Sequence, residues 1–335
     1  MKRLEKSRSI ESNFNPVGPL TIHWDTKLLP SSFGSEKVDR LPIVVTSSTG
    51  EQILGVPSLS RGTGNLMSKA VFEYLKKWNI LELVRVMCFD TTSSNTGVKN
   101  GACTGLQLLL GRQLLYFACR HHIFEIVLEA AFSSCFGSSS GPEPSIFIRF
   151  KNAWSNLNKQ NFKNGLIDPK VSEKIGDSCE IINTFALKML SVNQPRDDYK
   201  ELLELILIFT GYIKEPSFKI PGSMHHARWM AKAIYALKIF LFRNEFPLTK
   251  LETKSAQRLC VFVASVYMFG WFNASLVIEA PRNDLRFLKN WKNSNKLIRP
   301  LQIKSFHLIY GISQRKQSAS HYLMKKCPLQ QKKYF

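Results

Sequence analysis

Asp25 and Asp90 are the residues whose type and setting best suit chemistry. Asp25 follows LTIHW, in which Leu20, Ile22 and Trp24 alternate with polar neighbours, so that Asp25 faces away from Trp24. Asp90 follows the apolar, β-branched run of residues 83–89 and opens a Thr/Ser/Asn/Gly turn, TTSSNTG. A carboxylate just past a strand's C-terminal end sits where open α/β sheets bind ligands, and hard cations take oxygen donors. If the two strands are neighbours, both carboxylates reach one divalent site. Two Mg2+ or Mn2+ ions about 4 Å apart would there activate a water or a 3′ hydroxyl for in-line displacement at phosphorus. Aspartate at a strand end is also ordinary turn chemistry, so the pair carries weight only in context.

Two polar clusters accompany the acids. Cys119-Arg120-His121-His122 has the C-x-x-H spacing of half a zinc site, but no second pair at zinc-finger spacing follows. Cys119 reads equally as a small residue closing a strand, and His122 as a helix cap or as the orienting partner of a carboxylate. Glu125 and Glu129 share one face of the next helix at i, i+4, a spacing that an exposed face also explains. His225, His226, Arg228 and Trp229 combine cations with an aromatic ring, suited to phosphate contact and base stacking or simply to starting a helix.

These residues need elements to hold them. Residues 1–19 are polar and charged and read as a loose arm. A strand carrying Asp25 opens at Leu20 in LTIHWDTKLL, and strands follow at 38–46 and 52–59, then a helix over 62–78, a strand over 83–89, a helix over 101–110, a strand over 114–118 and a helix over 123–132. A meander of antiparallel strands followed by alternating strands and helices gives an α/β fold with a mixed sheet. Ribonuclease-H-like nucleases and transposases share that order of elements. The core's first part is expected over 20–136. Gly137 to Pro142 breaks the pattern, and an all-α insertion is expected over 137–278, with a buried helix over 253–278. A return to the core and a basic tail would occupy 279–335.

Composition narrows the partners. Lys and Arg outnumber Asp and Glu by 46 to 25, a net charge of +21, which favours a polyanion. More than half of that excess lies in residues 285–335, where twelve Lys/Arg stand with no acid. Such a segment binds nucleic acid without sequence preference, or is simply a solvated end. Hydrophobic residues at 44% suffice for a real core. No apolar run reaches the roughly 18–20 residues of a membrane span, and no signal-peptide pattern opens the chain, so an intracellular protein without a membrane partner is expected. Seven scattered cysteines, an odd number, fit reduced thiols.

The run Asp90-Thr91-Thr92-Ser93-Ser94-Asn95-Thr96-Gly97, with Cys119-x-x-His122 after it, resembles the second-aspartate block and C-x-x-H signature of hAT-superfamily DDE transposases. HWDTKLLP, CFDTTSSNTG, LGRQLL, ACRHHIFE and HHARWMAKAIYALKIF together look like transposon-derived proteins of invertebrate genomes, over most of residues 20–290. The resemblance implies a ribonuclease-H-like core with an α-helical insertion. It also implies DNA as partner, a nuclear location and metal-dependent strand cleavage and transfer with Mg2+ or Mn2+, and it leaves self-association open. By similarity Asp25 and Asp90 are the first two catalytic acids and metal ligands, Cys119 and His122 the signature pair, and Arg228-Trp229 the Arg-Trp of the insertion. Arg120 and His225 join Arg228 and Trp229 as nucleic-acid contacts. The family's third acid, a glutamate after the insertion, has no clear counterpart. Glu279 and Asp284 are the last acids available. Relatives continue past a His-Leu pair with an acidic stretch, whereas His307-Leu308 leads into the basic tail, as a frameshift near residue 309 would produce. The competing expectation is a catalytically silent DNA-binding or protein-interaction module.

Overall fold

The computed structural model describes residues 2–30, 37–48, 50–137, 144–222, 230–274 and 279–294. They divide between two compact units that part between His122 and Ile123.

The first unit opens with helix α1 (Lys2–Asn13), where the sequence suggests a loose arm. Phe14, just beyond it, meets Trp78 edge to face at 5.5 Å, and Glu11 pairs with Lys77 at 3.0 Å. A single aromatic anchor thus orders a stretch whose own composition predicts no core. Strands β1 (Leu20–Trp24), β2 (Lys27–Pro30), β3 (Lys37–Arg40), β4 (Ile43–Ser47), β5 (Gly50–Gly55) and β6 (Ser58–Leu59) follow. Two expected strands, 38–46 and 52–59, are each split in two. Pro42 and Pro57 fall at the breaks, and proline has no N–H to give a ladder. The Leu41 N–H instead reaches the Pro57 carbonyl at 2.9 Å, and the outer halves form a separate antiparallel sheet in the order β2-β3-β6.

Helix α2 (Gly64–Lys77) is capped by the Thr63 hydroxyl and ends on Lys76 and Lys77, which suit its negative end. Then come β7 (Val84–Phe89), the short α3 (Ser93–Thr96) where only a turn is expected, α4 (Ala102–Leu110), β8 (Leu115–Ala118) and α5 (Arg120–Phe136); β7, α4, β8 and α5 lie close to their expected places. Gly111 stops α4 with a left-handed φ of 64°, which favours glycine.

The main sheet is mixed, ordered β5-β4-β1-β7-β8. β1 is antiparallel to β4 and parallel to β7, and β7 is parallel to β8. One face carries Leu20, Ile22, Trp24, Met87 and Phe89, all buried, against Met67, Val71 and Leu75 of α2 and Leu106 of α4. Burying each such side chain contributes about 1.5–3 kcal/mol. The Trp24, Phe89 and Tyr116 rings stack in succession at 4.5 and 4.6 Å across three adjacent strands.

The second unit continues α5 from Ile123 and adds α6 (Ser145–Ala153), α7 (Pro169–Ile175), α8 (Cys179–Leu190), α9 (Asp197–Phe209) and α10 (Ala231–Leu241). Helix α11 (Lys250–Phe262) passes through a π-helical turn, Val263–Tyr267, into α12 (Met268–Phe272), the buried helix the sequence anticipates. Helix α13 is Ala280–Ser294. Every described element here is helical. Lys238, only 1% exposed, pairs with Glu201 at 2.5 Å and donates to the Lys219 carbonyl at 2.6 Å. No helix among the described residues is long and apolar enough to cross a membrane.

His23, on the opposite face of β1 from Trp24, bonds the Thr46 hydroxyl of β4 through Nε2 at 2.9 Å. Burial lowers its pKa from 6.5 to about 4. The unfolded chain therefore takes up a proton near pH 6.5 that the folded chain refuses until about pH 4. Stability from this group is complete above pH 6.5 and drains away across that window, by on the order of 3 kcal/mol. His23→Gln, followed by urea titrations at pH 7 and pH 4, is expected to flatten this part of the acid dependence.

Candidate active site

The sheet decides how the two acids meet. In the parallel pair β1–β7, Ile22 lies opposite Met87 and His23 opposite Cys88. The same register carried two residues further sets Asp25 opposite Asp90, each one residue beyond its strand. Neighbouring strands lie about 4.8 Å apart, and matching pleat puts both side chains on one face. The electrostatics agree with that placement. The Asp25 carboxyl is raised above the usual carboxylate range, first by burial and then by the Asp90 charge, against the opposing pull of the Thr26 N–H, Lys27 and His122. The residue still keeps an exposed surface.

Asp90 is fixed from below. Its Oδ1 accepts from the Thr92 N–H at 3.1 Å, the Thr92 hydroxyl at 2.6 Å and the Asn95 amide at 2.7 Å. Asn95, 4% exposed, in turn accepts the buried Trp24 indole N–H at 2.8 Å. A polar chain thus runs from the core side of β1, through the turn, to the carboxylate at the tip of β7. Close backbone packing holds the turn: a Cβ on Gly64 would run into the Asn100 and Ser94 carbonyls, and one on Gly101 would meet the Asn95 carbonyl at 2.7 Å. The Oδ2 of Asp90 takes no hydrogen bond among the described residues.

On the far side of β7, the Cys119 N–H extends the β7–β8 ladder by donating to the Phe89 carbonyl at 2.8 Å, so Cys119 closes the strand. Its thiol is half-buried. Arg120 opens α5, and His122 in its first turn meets the Thr91 hydroxyl at 3.1 Å through Nε2 while its charge acts on Asp25. Cys119 and His122 therefore bracket the start of α5, with His122 close enough for its charge to act on Asp25.

The other expected site residues belong to the second unit or lie outside the described residues. Glu279 pairs with Arg282 at 3.8 Å and Asp284 is half-buried on α13, both in the second unit. Glu129 pairs with Lys232, and the charge of Glu125 acts on Tyr267. His225, His226, Arg228 and Trp229 lie outside the described residues, as does the tail from residue 295 with its expected frameshift.

Chemically, the pair offers what a hard divalent cation takes: two carboxylates side by side, one with an oxygen unengaged and the other with its charge poorly compensated. Among the described residues no group of three or more His, Cys, Asp or Glu is gathered in a metal-holding arrangement. Compared with protein-family models and with curated proteins, the chain matches none.

Asn95 and the Trp24 N–H are the site residues that sequence reasoning passed over. Their signal is present: an Asp followed by Thr and Ser residues and an Asn is a turn that bonds its own side chains. Asn95→Ala would strand the buried indole donor and release Asp90, and is expected to cost about 1–3 kcal/mol in urea unfolding. Asp25→Asn is expected to act the other way. Charging a carboxyl whose folded pKa is raised costs more in the folded chain, so stability lost as pH climbs through that pKa returns when the charge is removed. Thermal midpoints should show the variant above wild type at pH 7 and level with it near pH 3.

Proposed function

We propose that the chain is a nuclear DNA-binding protein with a ribonuclease-H-like core and an all-α insertion, derived from a hAT-type DDE transposase. Its ancestral reaction is metal-dependent cleavage and transfer of DNA strands. The observation that carries this reading is the register that aligns Asp25 with Asp90 at the tips of adjacent parallel strands. The sheet order β5-β4-β1-β7-β8, with an antiparallel meander on one side and parallel strands on the other, supports it, as does the helical second unit. The net charge of +21 supports a polyanionic partner.

In that role Asp25 and Asp90 would hold Mg2+ or Mn2+, which when bound supplies positive charge to a phosphodiester and its attacking oxygen. The chain's own residues set the stage for this. Asn95 and Thr92 orient Asp90, and Trp24 holds Asn95. His122, anchored on Thr91, places a titratable ring beside Asp25.

Such reactions use three acids, and the third has no clear counterpart in the sequence: Glu279 and Asp284 are the last acids available, and Glu279 is held in an ion pair. We therefore infer that the present chain binds DNA and cleaves it poorly. A silent binding module is the second reading, favoured by the three hydrogen bonds that already occupy one oxygen of Asp90.

The test is a nicking assay on supercoiled DNA in Mg2+ and in Mn2+, beside Asp90→Ala, with duplex binding measured in parallel. Binding that weakens steeply with salt, at most 10-fold more nicking than Asp90→Ala, and equal binding by both proteins are expected. Failure to bind duplex DNA at low salt would overturn the reading. Nicking far above the variant would make the chain an active nuclease.

A further inference from the structure

We propose that the outer face of α13 is a phosphate-tracking surface for duplex DNA, a placement that rests on the DNA-binding reading above. The helix is strongly two-sided. Phe287 and Trp291 are buried, with Phe287 against Phe124 at 5.0 Å, Trp291 against Phe262 at 6.0 Å, and the two rings edge to face at 5.4 Å. At 100° per residue, Arg282, Arg286 and Lys289 project from the opposite side, and all three are exposed. Their i, i+4, i+7 spacing lines them along one stripe. Among the described residues Arg286 and Lys289 have no ion-pair partner, and Arg282 has only Glu279 at 3.8 Å. Asp284, the helix's one acid, is half-buried and lies off the stripe.

The dimensions fit duplex phosphates. Seven residues at 1.5 Å rise give a stripe about 10 Å long. One DNA strand places a phosphate every 3.4 Å of axis, so about three phosphates fall along that length, one for each cation. The aromatic side of α13 is already packed, which leaves few apolar groups to enter a lipid surface and favours nucleic acid over membrane. The chain beyond the stripe points the same way: from Leu285 to the last residue there is no acid to repel a phosphate backbone.

A polyanion is held here by charge and counterion release, with no reading of bases. The test uses the full chain and a 30-bp duplex of arbitrary sequence. Wild type is compared with the triple variant Arg282→Gln/Arg286→Gln/Lys289→Gln and with a charge-matched control, Lys170→Gln/Lys250→Gln/Lys254→Gln, three exposed lysines elsewhere on the second unit. Far-ultraviolet circular dichroism and thermal midpoints establish that each protein is folded. Affinity is measured from 50 to 200 mM salt, and binding to vesicles with 30% anionic lipid is measured alongside.

The stripe variant is expected to bind at least 10-fold more weakly at 50 mM salt. Its slope of log affinity against log salt should be shallower by about 2–3, since each phosphate contact contributes about 0.9. The control should lose clearly less on both measures. A wild type that binds duplex while the stripe variant and the control behave alike would overturn the placement on α13 and leave the DNA reading intact. A wild type with no salt-dependent duplex binding would overturn both. Binding to vesicles in preference to duplex would overturn the choice of partner.

Discussion

The indole N–H of Trp24 is a donor carried into an apolar core, and there it must be satisfied or cost the fold on the order of 1–3 kcal/mol. Asn95 satisfies it and, with its own amide, holds Asp90. The ring of Trp24 stacks on Phe89, the residue just before Asp90, so the same two strand ends are bound by an apolar contact and by a polar chain. The position of the carboxylate is therefore set by the core. Any change that loosens the Trp24–Phe89–Tyr116 stack would be felt at the tip of β7.

The same geometry creates a conflict. Parallel pairing in one register brings two like charges to the edge of one sheet, and burial first, then the charge of Asp90, raises the pKa of Asp25. Nearby, burial holds His23 in its neutral form at physiological pH, so it offers no compensating charge. Thr26, Lys27 and His122 relieve Asp25 only in part. Local structure that opposes stability is characteristic of sites kept for binding, because the missing favourable interaction is available to a ligand.

The second unit resolves its charges differently. Lys238 is buried, but Glu201 and the Lys219 carbonyl meet its charge, and the Trp154 ring lies 5.5 Å from its ammonium. A buried pair of this kind adds little net stability, yet removing one partner would leave a charge stranded among aromatic rings. Of the exposed cations of α13, Arg282 meets Glu279 at 3.8 Å, and Arg286 and Lys289 have no ion-pair partner among the described residues.

Much of the plan was legible from pattern alone. Alternation in LTIHW, the apolar run of residues 83–89 and the helical spacing of Ala70, Val71, Tyr74, Leu75 and Trp78 each pointed to an element, because period 2 and period 3.6 are what strands and helices demand. Pattern likewise placed Asp90 at a strand's C-terminal end, whereas it read Asp25 as carried on the strand from Leu20, which ends one residue earlier at Trp24. It misled at residues 38–46 and 52–59, where apolar runs cross Pro42 and Pro57, and at α1, which an anchor outside the helix holds in place. Only the tertiary structure decided that β1 and β7 are neighbours in a register that aligns Asp25 with Asp90, since strand pairing is chosen by packing among distant segments. It also decided that Asn95, unremarkable in a turn of small polar residues, lies beneath a tryptophan and governs the second acid.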